Sequence, residues 1–182
     1  MTWGLLYVAL LAALVVRVRA AGGPPPDPVR PVQGEPGWLT RLHHRLFFVL
    51  LVGPPLECLL VAGAPSGRRL GAIMFALGVA LYRVAGRTLG EALSPLIEPR
   101  RRAALVTAGP YAVVRHPMYL GEALIAVGAP LTLGSRYLVW LALPAVAVLA
   151  MRMGREDEAL ARTYPEYAHY AATTRRIVPF LY

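Results

Sequence analysis

Five apolar runs, each bounded by arginine, proline or glycine, constrain this chain more than any other feature. They run roughly Met1–Val16, Leu46–Ala64, Leu70–Gly86, Tyr119–Leu133 and Tyr137–Met151. A helix needs about 17 to 25 apolar residues to cross a bilayer, and these runs approach that length. Only 16% of the 182 residues are charged, against about 25% in a soluble domain. The pattern predicts an all-α integral membrane protein with about five transmembrane helices and a cytosolic C-terminal helical region. Strand-type alternation is missing from the sequence, and no Gly-rich turn follows a strand. Length and pattern therefore exclude a Rossmann-type nucleotide domain.

The basic residues order these runs in space. All 19 are Arg, and the formal net charge is +9. With the N-terminus outside, 16 arginines fall on inner segments and only Arg68, Arg69 and Arg136 fall outside. Cytoplasmic loops carry just such an excess of positive charge. That distribution explains the high isoelectric point as topology control, with no nucleic-acid partner. It predicts a bacterial inner-membrane protein with its C-terminus in the cytosol. The opening "MTWGLLYVALLAALVVRVRA" has its charges after the apolar stretch, unlike a secretory signal, and reads as a retained first span.

Between the first two runs, Ala21–Trp38 is too rich in Pro and Gly for helix or strand and reads as a cytosolic linker. The chain then divides into an N-terminal transmembrane region, residues 1–86, and a core, residues 87–182. Gly134–Ser135 makes the fourth and fifth runs a tight hairpin. Cys58 stands alone in an apolar run, so no disulfide or cysteine-based metal site is expected, and no other metal site is suggested.

Three polar groupings carry the chemistry. In "LVTAGPYAVVRHPMYLG", Leu105 to Gly121, the Gly109–Pro110 pair forces a turn and Pro117 suits the first turn of a helix. Arg115 and His116 then stand at a helix N-terminus, where unpaired N–H groups and the dipole favour an anion. His116 and Tyr119, three apart, share a face. An Arg–His pair at a helix mouth also serves simply to anchor it among headgroups. In "RMGREDEAL", Arg152 lies four residues before Glu156, on one helix face, and Glu156, Asp157 and Glu158 follow the fifth run. These residues read either as a solvated face with an internal ion pair or as ligands for a polar substrate. The third grouping is Glu57, an acid at membrane depth and a functional candidate by cost alone. Glu122, near the interface, would snorkel or pair with Arg115. In the tail, Tyr164, Tyr167 and Tyr170 recur every three residues beside a break at Pro165, as an aromatic belt would. The closing "IVPFLY" is apolar enough to dock on the bilayer or the core.

"LVTAGPYAVVRHPMYLG", followed about 35 residues later by "RMGREDEALARTYPEYAHY", resembles the isoprenylcysteine carboxyl methyltransferase and phospholipid methyltransferase superfamily. The likeness covers roughly Gly86 to Pro179. It implies an integral membrane enzyme that uses S-adenosylmethionine without a Rossmann fold, with a cytosolic cofactor pocket and a lipid or isoprenoid-like acceptor arriving through the bilayer. By position it implies cofactor contacts at Ala103, Ala104, Leu105, Val106, Tyr111, His116, Pro117, Met118, Tyr119 and Glu156, and a catalytic, acceptor-facing Arg152. Two departures stand out: Asp157 where the family has a second glutamate, and Ala103 where isoprenylcysteine enzymes often carry a polar residue.

Methyl transfer requires the acceptor atom aligned behind the methyl carbon, so positioning supplies much of the rate. A polar cofactor from water and a lipid from the membrane can meet only at the interface. The expected activity is methylation of a lipid-like carboxylate, as in protein-S-isoprenylcysteine O-methyltransferases, oriented by Arg152. The alternative is a phosphatidylethanolamine N-methyltransferase, which needs a base, for which Glu57 is the candidate. Two readings of other classes are a non-catalytic membrane binding or transport protein and a structural membrane subunit.

Overall fold

The computed structural model of the chain describes residues 2–20, 37–61, 63, 66–94, 96–97, 99 and 103–177. Most of the Pro-rich linker and nearly all of the closing "IVPFLY" lie outside the described residues. Among the described residues six helices form: α1 (Thr2–Ala20), α2 (Gly37–Leu60), α3 (Arg68–Leu89), α4 (Pro117–Leu133), α5 (Ala142–Thr163) and α6 (Tyr167–Thr173). Short 3-10 turns stand at Gly90–Ala92, Gly109–Ala112 and Leu138–Leu141. Among the described residues there is no strand, only an isolated bridge between Val114 and Arg175.

Each expected apolar run overlaps a helix, but the helix boundaries differ from the hydropathy boundaries. α2 begins at Gly37 rather than Leu46, because Arg41, His43, His44 and Arg45 hide its first turns from an apolar reading. α5 continues to Thr163, well past Met151, through the charged stretch Arg152–Glu158. Pro165 then separates α5 from α6, since a proline cannot continue the helical hydrogen-bond ladder. Among the described residues two helical stretches, Arg68–Ala92 and Leu138–Thr163, are long and apolar enough to cross a membrane; Thr2–Leu14 and Pro117–Leu133 are shorter apolar helices.

The tightest seam joins α3 to α4. A Cβ on Gly128 would lie 2.5 Å from the Phe75 nitrogen, and one on Gly78 would lie 2.7 Å from the Gly121 oxygen. Only bare backbone fits there, which is how apolar helices approach closely where no water drives them together. Against this seam α1 packs Tyr7 and Leu14 with Phe75, Val79, Ile125 and Ala129. A second cluster, Leu50 with Ala126 and Ala145, draws α2, α4 and α5 together. The result brings the N-terminus of α4 beside the charged end of α5.

Candidate active site at the mouth of the helix hairpin

The turn before α4 is set by Gly109, whose φ of 61° lies in the left-handed region that glycine enters without steric cost. Pro110 follows in the 3-10 turn, and Pro117 occupies the first turn of α4. The chain enters α4 with Arg115 and His116 fixed by backbone bonds: their N–H groups donate to the carbonyls of Arg175 and Arg176, at 2.7 and 2.9 Å. The tail thus lies across the helix mouth.

Asp157 is the hub of this region. His116 Nε2 donates to its Oδ1 at 2.8 Å, Arg176 Nε donates to its Oδ2 at 2.8 Å, and the Tyr167 hydroxyl donates to Oδ1. Arg115 Nε stands 3.8 Å from the same carboxylate, while its Nη1 donates to the carbonyls of Ala171 and Thr174. His116, with 2% of its surface exposed, must carry its proton on Nε2 to make this bond. The shorter acid that departs from the family pattern is therefore the one that ties α4, α5 and the tail together.

Glu156 turns elsewhere. The Tyr119 hydroxyl lies against its carboxylate, and its charge acts on Tyr111 and Tyr167. Tyr119 in turn packs edge-on to His116, ring centroids 5.5 Å apart. Four expected cofactor residues, Tyr111, His116, Tyr119 and Glu156, thus converge on one region. Pro117 and Met118 form the first turn above them. The stretch Ala103–Val106 runs without regular structure, and the Ala103 carbonyl accepts from the Tyr164 hydroxyl at 2.8 Å.

Arg152 is 4% exposed, and its Nη1 donates to Thr40 Oγ1 of α2 at 2.7 Å. The internal pair with Glu156 weighed from the sequence is thus replaced by a partner on another helix. Glu122 likewise turns away from Arg115 and faces His43 of α2, with Oε2 3.7 Å from Nε2. The Nε of Arg152 and Oε2 of Glu122 are buried with no hydrogen-bond partner. Sequence reasoning missed Thr40 and His43; the signal was polar residues three apart on a helix that hydropathy began too late.

The remaining expectations change. Tyr164, Tyr167 and Tyr170 do not form an interfacial belt: their hydroxyls bond to Ala103, Asp157 and the Tyr111 carbonyl. Tyr167 and Tyr170 are buried. Burial pushes the Tyr111, Tyr167 and Tyr170 phenols up, helped at Tyr111 by the Glu156 charge and at Tyr167 by the bond to Asp157; Tyr170 reaches about 12. All three phenols stay neutral at ordinary pH. Glu57 sits at the other end of the hairpin, accepting from the Ser135 hydroxyl and from the backbone N–H groups of Arg136, Tyr137 and Leu138. It caps the entry to α5 and is not placed to serve as a base near His116. A recess of about 440 Å³ beside Trp3 and Gly67–Leu70 also lies at that far end, away from these residues.

Residues 67–167, more than half of the chain, match the phospholipid methyltransferase family. The chain belongs to the phospholipid methyltransferase family. This family lies within the isoprenylcysteine carboxyl methyltransferase-like superfamily, as the two motifs suggested. The match spans α3 to the start of α6 and includes Tyr111, His116, Tyr119, Arg152, Glu156 and Asp157, but not Thr40, His43 or Arg176.

Two curated proteins are similar to this phospholipid methyltransferase family member. A cobalt-zinc-cadmium resistance protein of Cupriavidus metallidurans is 36% identical over 47% of this chain and 40% of its own length. A nickel-cobalt-cadmium resistance protein of Alcaligenes xylosoxydans xylosoxydans is 33% identical over 58% of this chain and 50% of its own. The chain thus spans half or less of the curated relatives it matches. Among its own described residues, no group of three His, Cys, Asp or Glu side chains could hold a metal ion.

Proposed function

We propose that the chain is an S-adenosylmethionine-dependent membrane methyltransferase acting on a lipid-like acceptor that carries an anionic oxygen. The observation that carries this reading is the convergence of Tyr111, His116, Tyr119 and Glu156 beside a buried, incompletely bonded Arg152. The donor set fits the cofactor. Glu156 offers acceptor oxygens for hydroxyl or ammonium groups, and the rings of Tyr111 and Tyr119 offer faces for a sulfonium. When bound, S-adenosylmethionine supplies a methyl carbon made electrophilic by its sulfonium.

The chain's own residues do the positioning. Asp157 fixes His116 and the tail, so the mouth of α4 is set before any ligand arrives. Arg152 holds the acceptor's anionic group through its free donors, at the point where α4 and α5 leave the apolar region. Both a lipid carboxylate, the acceptor first expected, and a phospholipid headgroup present such a group. In this reading α1 to α5 cross the bacterial inner membrane with their arginine-rich ends in the cytosol, where the cofactor is dissolved.

The test is binding and transfer with Glu156→Gln. Calorimetry of the purified protein should show S-adenosylmethionine affinity falling at least about tenfold, the scale of one lost charge-assisted bond. Membranes containing the wild type should transfer label from methyl-labelled S-adenosylmethionine to extractable lipid. A wild type that binds no cofactor and transfers no label would return the chain to the non-catalytic binding or structural class.

A further inference from the structure

We infer that Thr40, His43, Glu122 and Arg152 form the acceptor subsite, in which Arg152 holds an anionic oxygen and the Glu122–His43 pair receives a proton from the acceptor's nitrogen or sulfur. This rests on the methyltransferase reading and adds to it a proton-accepting pair, Glu122 with His43, and two residues of α2. That helix lies outside the family match, yet it supplies Thr40 to Arg152 at 2.7 Å and His43 to Glu122 at 3.7 Å.

The two charged groups are incompletely bonded. Arg152 is 4% exposed and its Nε makes no hydrogen bond, while Glu122 Oε2 makes none either, with His43 Nε2 beyond hydrogen-bond reach at 3.7 Å. Burying such groups without partners is costly. An ion pair present only for stability would turn these two atoms toward each other, whereas here neither makes a hydrogen bond. A ligand carrying a cationic or protic atom beside an anionic oxygen completes both. Glu122 is one turn along α4 from Tyr119, whose hydroxyl lies against Glu156, so the subsite adjoins the cofactor-binding carboxylate.

The groups facing Glu122 are His43 from α2, Arg152 and Glu156 from α5, and Tyr119 on α4 itself. α3 brings backbone, at Gly78 and Tyr82, against neighbouring Gly121. His43 is the group beside Glu122 able to take a proton onward. Its ring lies 5.2 Å, centroid to centroid, from that of exposed His44, which opens to water.

The chemistry balances. The acceptor's lone pair forms the bond to the methyl carbon, the carbon–sulfur bond breaks, and its electron pair stays on sulfur. A methylated amine or thiol then carries one proton too many, which passes to Glu122. A carboxylate acceptor has no proton to give, and a second buried carboxylate beside it would repel it.

The experiment uses the purified full chain with methyl-labelled S-adenosylmethionine and micelles of phosphatidylethanolamine, its thiol analogue phosphatidylthioethanol, or a prenylated cysteine carboxylate. Label is expected in one of the first two, stable to mild base, and which of them is methylated tells nitrogen from sulfur. Glu122→Gln should keep cofactor affinity within about threefold yet lose roughly 100-fold in turnover at pH 7, the upper half of that loss returning as pH rises. With no methyl donor present, a short-chain version of the methylated lipid should bind about tenfold more weakly to Glu122→Gln. Should that variant fail to fold, His43→Gln is expected to show the same pH-dependent loss at about tenfold. Wild-type turnover or lipid affinity in these variants, or base-labile label alone, overturns the subsite while leaving the methyltransferase reading intact. A wild type that binds no S-adenosylmethionine overturns the reading beneath both.

Discussion

Asp157 on α5 and His116 at the mouth of α4 are 41 residues apart in sequence and 2.8 Å apart through a hydrogen bond. Around that bond gather Arg115, Tyr167 and Arg176, so one carboxylate joins two helices of the hairpin to the tail that crosses them. The carboxylate is 14% exposed and the imidazole 2%, and a hydrogen bond to a carboxylate so shielded from water is stronger than one made in water.

Asp157→Asn should therefore destabilise the fold by about 3 kcal/mol, the cost of removing one member of a largely buried charge group. Thermal unfolding in detergent measures it. Because His116 loses its orientation, S-adenosylmethionine affinity should fall in the folded variant as well. A variant of wild-type stability would mean that Arg115, His116 and Arg176 find other partners without strain.

The α3–α4 seam gives a second expectation. Gly128→Ala places a methyl 2.5 Å from the Phe75 nitrogen and 2.8 Å from the Gly71 oxygen, and backbone cannot yield as a flexible side chain would. Loss of about 2 to 3 kcal/mol should follow from the overpacking. Gly154→Ala on α5 meets nothing within 4 Å and should be neutral or gain up to about 1 kcal/mol from helix propensity. Equal unfolding temperatures for the two variants would show that the seam can part.

The buried tyrosines predict an alkaline limit. Tyr170 ionises at about 12 in the fold, against 10.0 for an unperturbed phenol, chiefly because burial disfavours the phenolate. Its folded-state pKa is raised, so its contribution is fully present below pH 10 and is lost as pH climbs from 10 through 12. Stability in detergent should be level up to pH 10 and then decline, with phenolate absorbance from Tyr111, Tyr167 and Tyr170 delayed until unfolding. Tyr170→Phe should make the decline shallower. Phenolate signal from all nine tyrosines near pH 10, with the fold intact, would place these rings in water.

Much of the fold was legible because apolar length and helix punctuation are local properties. Pro117 and Pro165 mark a start and a break where the helices start and break, and the five apolar runs each overlap a helix. The glycines of the α3–α4 seam were visible as letters only. That Gly78 faces Gly121 depends on how two helices meet. In the candidate site, His116, Tyr119 and Glu156 could be picked out from their motifs, whereas Thr40 and His43 could not, because their helix begins in a stretch of Arg and His that hydropathy assigns to a loop.

The sequence by itself determined the helical class, the family and the end of the bundle where polar chemistry collects. Periodicity, proline position and motif spacing act over a few residues and need no knowledge of what packs where. Only the tertiary structure decided the partners: Arg152 with Thr40, Glu122 with His43, Asp157 with His116, and Glu57 as a cap at the far end. A charged group removed from water takes whichever partner the packing brings within about 4 Å. That choice is made between helices far apart in the chain.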